Sequence, residues 1–211
     1  VFEKGAAVVH LAGKAHDLKN ISDPSEYFAV NTELTKQLFD QFLASAARDF
    51  VFMSSIKAET ADDAYGKSKQ AAEKGLQAID TDMVVSVLRP SIVYGEGVKG
   101  NLASLSNVLK KNIPLPFGAI TKNKRSFLSI DNLKSLTKHI IDHQLIGTFN
   151  VSDGQTISTT DLLKAMRAGT SSKSILLPVP TSIFNLAGRL LNKQDVINRL
   201  VGDAEVDITH T

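Results

Sequence analysis

The sequence contains no cysteine among its 211 residues. A disulfide framework, a zinc site built on thiolates and a cysteine nucleophile are therefore excluded. No apolar run approaches the length that spans a bilayer, and residues 1–5 (VFEKG) lack the pattern of a signal peptide. We therefore expect a soluble, cytoplasmic protein with no membrane insertion.

An excess of one charge is also lacking, since 24 basic residues face 22 acidic ones for a formal net charge of +2. A dedicated nucleic-acid binder needs a concentrated basic face. The densest basic stretch contains only Lys122, Lys124 and Arg125. Three such charges equally suit the neutralisation of one diphosphate, so we expect no nucleic-acid partner.

Strand and helix patterns alternate through the first half of the chain. Short apolar runs suit strands that are covered on both faces, and apolar residues three or four apart indicate helices. This alternation predicts crossover units and a doubly wound parallel sheet, the Rossmann-like α/β class. The predicted strands are residues 6–11, 50–53 and 84–93, the last interrupted by Pro90, and the predicted helices are 26–46 and 65–79.

The second half has more helical segments and predicts a smaller, mostly helical lobe. Ser158 followed by Asp161 is typical of a helix start, because a serine caps the first turn and the acid three residues on reaches back. Strands are predicted at 125–130 and 147–152, and helices at 131–143, from Ser158, at 182–191 and at 195–201.

Residues suited to acid–base chemistry follow the predicted strands, where ligands of doubly wound sheets bind. Ser54 and Ser55 end the second strand, and Tyr65 and Lys69 lie four apart on the next helix, so they share a face. A free tyrosine, with a pKa of about 10, is a poor base at neutral pH, but a neighbouring ammonium favours the phenolate. The Tyr-x-x-x-Lys spacing alone is common by chance. Its order after strand–Ser–Ser predicts a set that oxidises an alcohol.

Seven segments of this chain carry a family resemblance: VVHLAG (8–13), VNTELT (30–35), FVFMSS (50–55), YGKSK (65–69), LRPSIVYGEG (88–97), GNLASL (100–105) and KRSFLSIDNL (124–133). Together they resemble the extended short-chain dehydrogenase/reductases, the NAD-dependent epimerase/dehydratase family. VSDG (151–154), LLPVP (176–180) and AEVDIT (204–209) are most similar to UDP-sugar 4-epimerases and 4-keto-reductases of bacterial surface-polysaccharide pathways.

The resemblance implies a UDP-sugar substrate, an NAD cofactor with NADP not excluded, and a homodimer that pairs helices 26–46 and 65–79. It makes Tyr65 the base, Ser55 its partner on the substrate oxygen and Lys69 the ligand of the nicotinamide ribose. The cofactor residues it implies are Leu11, Ala12, Gly13, Asn31, Ser54, Tyr65, Lys69, Pro90 and Val93. The sugar-nucleotide residues are Asn101, Leu102, Phe117 and Arg125, with the arginine on the diphosphate. The cofactor part is expected at 1–98 and the sugar-nucleotide lobe at 99–211, with about 125–152 returning to the sheet.

Two departures from the family pattern leave alternatives open. The Gly-x-x-Gly-x-x-Gly turn that receives the pyrophosphate has no counterpart, so the resemblance implies that the chain starts at the fourth strand. Only nine residues separate Ser55 from Tyr65, fewer than the family usually has. Either residues are omitted from the sequence or the protein is degenerate and inactive; a stable fold of these residues alone would be unexpected. The chemistry then lies between a 4-epimerase, a 4-keto-sugar reductase and a non-catalytic binding or regulatory protein.

Two further activities receive little support from the sequence. A 4,6-dehydratase of this family carries an Asp-Glu pair after its catalytic hydroxyl residue, where this chain has Ile56 and Lys57. His139 and His143 lie four apart and could ligate a metal, but the sequence offers no third ligand. We therefore expect no metal.

Overall fold

In the computed structural model, the described residues are 2–15, 23–97, 100–192 and 194–209, without the side chains of residues 195 and 199. They form two compact units. The first unit takes its residues from 1–93, 128–153 and 207–211, and the second from 94–127 and 154–206. The expected division of labour between cofactor binding and sugar-nucleotide binding stays a prediction.

A four-stranded parallel sheet is the centre of the first unit. In spatial order its strands are β1 (Ala7–His10), β2 (Asp49–Met53), β3 (Val84–Pro90) and β6 (Gly147–Val151), so β1 and β6 are its edges in the described part of the chain. The elements of this unit are β1 (Ala7–His10), α1 (Pro24–Phe28), a π-helical turn (Ala29–Glu33), α2 (Leu34–Leu43), β2 (Asp49–Met53), α3 (Lys57–Thr60), α4 (Ala64–Gln77), β3 (Val84–Pro90), α6 (Ile130–His143) and β6 (Gly147–Val151). The parallel sheet confirms the predicted fold class.

Strand β2 is buried on both faces because successive side chains point to opposite sides of a sheet. Phe50 and Phe52 pack with apolar residues of α2 and α4, whereas Val51 packs on the other face with Leu133 and Ile140 of α6. Full burial of each such side chain contributes about 1.5–3 kcal/mol. The packing on both faces fixes the position of β2 in the sheet, and hence the position of Ser54 and Ser55, which follow it.

Two predicted elements are interrupted in the structure. The helix predicted at 26–46 contains the π-helical turn, in which Asn31 and Thr32 are buried and the Thr35 hydroxyl donates to the Asn31 carbonyl at 2.8 Å. The strand predicted at 84–93 ends at Pro90, and β4 (Ile92–Tyr94) follows after Ser91. Pro90 ends β3 because proline has no N–H to continue the ladder.

The second unit combines helices with short strands. In chain order, α5 (Asn101–Lys110), β5 (Arg125–Ser129), β7 (Thr156–Ile157), α7 (Thr159–Gly169), α8 (Thr181–Leu190) and α9 (Gln194–Val201) follow β4, and β5 begins in this unit and ends in the first. Strand β5 pairs antiparallel with β7. Ser158 caps α7 as predicted: its Oγ accepts from the Asp161 N–H at 3.0 Å and donates to the Asp161 carboxylate at 2.7 Å.

Across the described stretches, the structure contains no helix with the length and apolar character to cross a membrane.

Candidate active site

A small cavity of about 100 Å³ lies in the first unit, where β1 and β2 end and α4 begins. Helix α4 starts here because the Asp63 carboxylate accepts the Gly66 N–H at 2.8 Å, which caps the first turn. The residues that line the cavity are Leu11, Gly13, Ala15, Met53, Ser54, Tyr65 and Lys69. The structure therefore brings the ends of two strands and the Tyr-x-x-x-Lys helix to one place.

Tyr65 stands in the first turn of α4 and is hydrogen-bonded to the Ser55 hydroxyl. Burial raises the pKa of Tyr65 above its ordinary value, and the Ser55 hydrogen bond opposes that shift. The ring of Tyr27 packs edge-on with a centroid separation of 6.3 Å, and the Lys57 Nζ lies 5.9 Å from the Tyr65 ring centroid. The phenol is thus protonated at neutral pH in this state.

Lys69 lies one turn further along α4 and is only 3% exposed. Its Nζ donates to the Met53 carbonyl at 2.8 Å and stands 4.7 Å from the centroid of the Phe52 ring. Burial lowers the pKa of Lys69 to about 8, and the charge of Glu73 opposes this effect. An ammonium whose pKa is this close to neutrality can respond to small changes in its surroundings.

Gly13 provides close access to the backbone at the same cavity. A Cβ at this position would lie 3.1 Å from Lys69 Nζ and 3.1 Å from Asn31 Oδ1. Asn31 is fully buried, and its side chain is committed: Oδ1 accepts from the Lys14 N–H at 2.7 Å, and Nδ2 donates to the Lys14 carbonyl and the Ser68 hydroxyl, both at 3.0 Å. Asn31 therefore holds the segment after β1 against α4.

A buried ion pair lies next to this cavity, and neither of its two residues is among the site residues predicted from the sequence. Glu73 of α4 pairs with Arg89 of β3, and its carboxylate also accepts from the Ser54 hydroxyl. The only signal in the sequence was an acidic residue on the apolar face of α4, between Ala72 and Leu76, which are both buried.

Several predicted cofactor residues fall outside the cavity lining. Ala12, Asn31, Pro90 and Val93 are not part of it. Pro90 is buried at the end of β3, where its carbonyl accepts the Ile56 N–H at 3.2 Å, and Val93 packs against the core cluster around Val51. Their roles at the cofactor stay predictions.

The four predicted sugar-nucleotide residues lie in the second unit. Phe117 stacks on Phe184 with a centroid separation of 5.8 Å. Arg125 begins β5 opposite Ile157, and burial lowers the pKa of its guanidinium. Asn101 and Leu102 open α5, the first exposed and the second buried. Contact of these residues with a sugar nucleotide stays a prediction.

A family model that matches most of this chain shows which family it belongs to. The model of the NAD dependent epimerase/dehydratase family matches residues 1–152. The chain belongs to this family. A UDP-glucose 4-epimerase from Vibrio cholerae is 41% identical over 226 aligned residues, which cover 97% of this chain and 69% of the relative. The predicted membership of an enzyme family is thereby confirmed.

More distant relatives agree with this membership. An N-acetyl-alpha-D-glucosaminyl-diphospho-ditrans,octacis-undecaprenol 4-epimerase from Escherichia coli O157:H7 is 22% identical over 92% of this chain and 63% of its own length. The crystal structure of UDP-N-acetylglucosamine 4-epimerase from Bacillus cereus has a TM-score of 0.69 at 22% identity, over 82% of this chain and 66% of that chain. Bordetella bronchiseptica WbmG, in complex with NAD and UDP, has a TM-score of 0.66 at 17% identity, over 93% and 74%. At these identities the two structures show the fold.

The chain thus spans about two thirds of the length of these two curated relatives. The alignment with the Vibrio cholerae enzyme extends over 226 positions, more than the 211 residues of this chain. The relative therefore carries residues that have no counterpart here. This agrees with the expectation of shortened loops without locating them.

The lining of the cavity is compatible with the nicotinamide end of the family's cofactor. Gly13 has no side chain to fill the space beside Lys69, and the Lys69 ammonium is a polar group at the lining. The pyrophosphate end has no glycine-rich turn of the family's pattern in this sequence. The residues present therefore fit part of the cofactor.

Metal-ligating side chains do not gather in threes or more among the residues with described side chains. The ring centroids of His139 and His143 are 4.0 Å apart with the planes tilted by 34°, and the His143 Nδ1 is hydrogen-bonded to the His139 carbonyl at 2.9 Å.

Proposed function

We propose that this chain carries the catalytic and sugar-binding residues of an NAD-dependent UDP-sugar 4-epimerase. The observation that carries the proposal is the hydrogen bond between Ser55 and Tyr65 beside a cavity that Lys69 also lines. The 41% identity to a UDP-glucose 4-epimerase supports the reaction at C4 of the sugar. The identity of the sugar is decided by contacts of residues other than Ser55, Tyr65 and Lys69.

In the proposed reaction, Tyr65 takes the proton of the sugar hydroxyl and later returns it. Ser55 hydrogen-bonds the same oxygen and so holds it beside the phenol. NAD, when bound, supplies the hydride acceptor and then the hydride donor. General acid–base catalysis of this kind contributes about 10²–10⁴-fold, and its geometry depends on where α4 places Tyr65 against the end of β2.

The resting ionisation of Tyr65 has to change before it can act as a base. Burial raises the pKa of this phenol, so the residue starts protonated. A positive charge nearby favours the phenolate, and Lys69 carries that charge below its pKa of about 8. We therefore assign to Lys69 the tuning of Tyr65 and the hydrogen bond to the nicotinamide ribose.

The second unit is proposed to hold the UDP part of the substrate. Arg125 suits a diphosphate because its planar fork bonds two oxygens at once. Phe117 is proposed to flank the base, and Asn101 and Leu102 to contact the sugar nucleotide. A homodimer and a cytoplasmic location remain predictions of the family resemblance.

A 4-keto-sugar reductase would use the same Tyr65, Lys69 and Ser55. The printed names of the 41% and 22% identical relatives are both 4-epimerases, which favours epimerisation. A reductase would consume reduced cofactor in proportion to product, whereas an epimerase returns the hydride and consumes none.

Replacement of Tyr65 by Phe tests the proposal in the intact protein. We expect Tyr65→Phe to abolish interconversion of UDP-glucose and UDP-galactose, followed by chromatography, while calorimetry shows NAD binding within about threefold of wild type. Tyr94→Phe is the matched control, because Tyr94 is 44% exposed in β4, and it should keep its activity. Full activity of Tyr65→Phe would refute the base, and a wild type that binds NAD without turning over any UDP-sugar would favour a non-catalytic protein.

A further inference from the structure

The Glu73 carboxylate is the buried charge that the proposed reaction leaves unused. Glu73 is 2% exposed, and an unpaired carboxylate at such a position would be strongly disfavoured. Arg89 compensates it with a two-armed contact: its Nη2 donates to Oε2 at 2.5 Å, and its Nε lies 3.0 Å and 3.2 Å from the two oxygens. The Arg89 side chain is itself 20% exposed. The pair is therefore buried and well satisfied.

The same carboxylate reaches the end of β2. The Ser54 hydroxyl donates to Glu73 Oε1, and the Ser54 N–H donates to the Leu88 carbonyl of β3 at 2.7 Å. Ser54 lines the cavity, but its hydroxyl is thereby committed to Glu73. The contact joins α4, the end of β2 and β3 at a single side chain.

Lys69 makes a parallel attachment one helical turn away. Residues four apart on a helix share a face, so Lys69 and Glu73 both face the end of β2. Lys69 holds the Met53 carbonyl at 2.8 Å, and Glu73 holds the next residue, Ser54. The residue that follows is Ser55, the hydrogen-bond partner of Tyr65. The last residue of β2 and the residue after it are thus both hydrogen-bonded to α4, immediately before the residue that is proposed to meet the phenol.

We propose that Glu73 and Arg89 are positioning residues of the active site, which fix the end of β2 against α4 so that Ser55 meets Tyr65. The catalytic part of this proposal rests on the proposed function. The contacts themselves lie wholly within the first unit and do not depend on which sugar is bound.

Stability alone does not account for the pair. Replacement of a buried ion pair by apolar residues of similar volume is often neutral or stabilising, so an apolar contact between α4 and β3 would hold the fold equally well. The charge of Glu73 has a specific effect on Lys69, since it raises a pKa that burial lowers to about 8. Among the residues that the structure describes, the other ionisable groups near Lys69 include the Tyr65 phenol on α4, the buried His10 at the end of β1 and Arg89, which pairs with Glu73.

Glu73→Gln in the intact protein tests the proposal, because it keeps the shape and removes the charge. The first readout is the pKa of Lys69, followed by NMR of ¹³C-labelled lysine and assigned with Lys69→Met. We expect this pKa to fall below its wild-type value. The second readout is turnover of UDP-glucose: we expect kcat to fall by about tenfold, a fraction of the acid–base contribution, with KM within about twofold, and the alkaline limb of the kcat profile to move to lower pH.

Glu73→Gln leaves Arg89 without its partner and can fail to fold, so Glu73→Gln with Arg89→Gln is the second variant. It removes both charges and keeps an acceptor for Ser54, and we expect the same direction of change. Asp142→Asn is the matched control. Asp142 pairs with Lys138 one turn away on α6, and its side chain is 48% exposed. Both readouts should stay at wild-type values in this variant.

An unchanged Lys69 pKa and kcat within about twofold of wild type, in either folded variant, would overturn the proposal. The NMR readout needs no sugar, so it decides the electrostatic part even if the wild type turns over no UDP-glucose. In that case the proposed function would fail while a lowered Lys69 pKa still supported the positioning role of Glu73.

Discussion

Lys69→Met should stabilise the protein at neutral pH while it abolishes the proposed activity. Lys69 is 3% exposed, and burial lowers its pKa from the ordinary value of 10.5 to about 8. At about 1.4 kcal/mol per pKa unit, this difference is a penalty of about 3 kcal/mol on the charged form in the folded state. Methionine is similar in length and carries no charge to bury.

The gain is smaller than the whole penalty because the Met53 carbonyl loses its donor. Lys69 Nζ donates to that carbonyl at 2.8 Å, and an unsatisfied buried acceptor costs about 1–3 kcal/mol. We therefore expect a net stabilisation of about 0–2 kcal/mol at pH 7, since the two effects partly cancel.

The pH dependence identifies the cause. Below pH 8 the lysine is charged in both the folded and the unfolded state, so the wild type carries the full penalty. Between pH 8 and 10.5 the folded state loses its proton first, and the wild type gains stability relative to Lys69→Met. Above pH 10.5 the lysine is neutral in both states, so the variant should become the less stable protein, by the value of the lost hydrogen bond.

Urea unfolding of both proteins at several pH values between 7 and 11 measures this difference. Other groups titrate in the same range, but they are common to both proteins and cancel in the comparison. Lys67→Met, at an exposed lysine of the same helix, is the matched control and should stay close to wild type throughout. A Lys69→Met variant that is less stable than wild type at pH 7 by a margin independent of pH would refute the reasoning.

Two further predictions concern the backbone around the site and the second unit. Gly66→Ala should destabilise the protein by about 1–3 kcal/mol in thermal unfolding, because the added Cβ would lie 2.4 Å from the Lys57 carbonyl oxygen. Gly75→Ala is the control, because its Cβ would meet only the flexible Lys36 side chain. It should be neutral or stabilising by up to about 1 kcal/mol. Ser158→Ala should cost about 1 kcal/mol, because the Asp161 N–H at the start of α7 loses its cap. A melting temperature equal to that of wild type would contradict the role of Ser158 as a cap.

The positioning pair and the Lys69 prediction describe two consequences of one arrangement. On the proposed function Lys69 acts as a cation, yet it is buried where charge is disfavoured, and the Glu73 charge raises the pKa that burial lowers. A protein selected for stability alone would not keep this group. The stability gained by Lys69→Met at neutral pH would therefore measure what the site gives up in order to hold the ammonium beside Tyr65.

The sequence by itself predicted the parallel sheet, the order of the elements and the grouping of Ser55, Tyr65 and Lys69. These depend on local signals: apolar runs, a 3.6-residue period and the spacing of four residues on one helix face. It could not predict the π-helical turn at Asn31, because one extra residue per turn leaves the apolar pattern nearly unchanged.

Only the tertiary structure showed that Arg89, sixteen residues from Glu73 on another element, and Ser54 both donate hydrogen bonds to the buried Glu73 carboxylate. The physical reason is that burial changes what a charge does. In the sequence, Glu73 is marked only by its place among apolar residues on one face of α4, whereas Lys69 is already predicted from the Tyr-x-x-x-Lys spacing. The packing of α4 against β2 and β3 removes water from both side chains. Burial lowers the pKa of Lys69 to about 8, and the Glu73 carboxylate is bonded by Arg89 and Ser54.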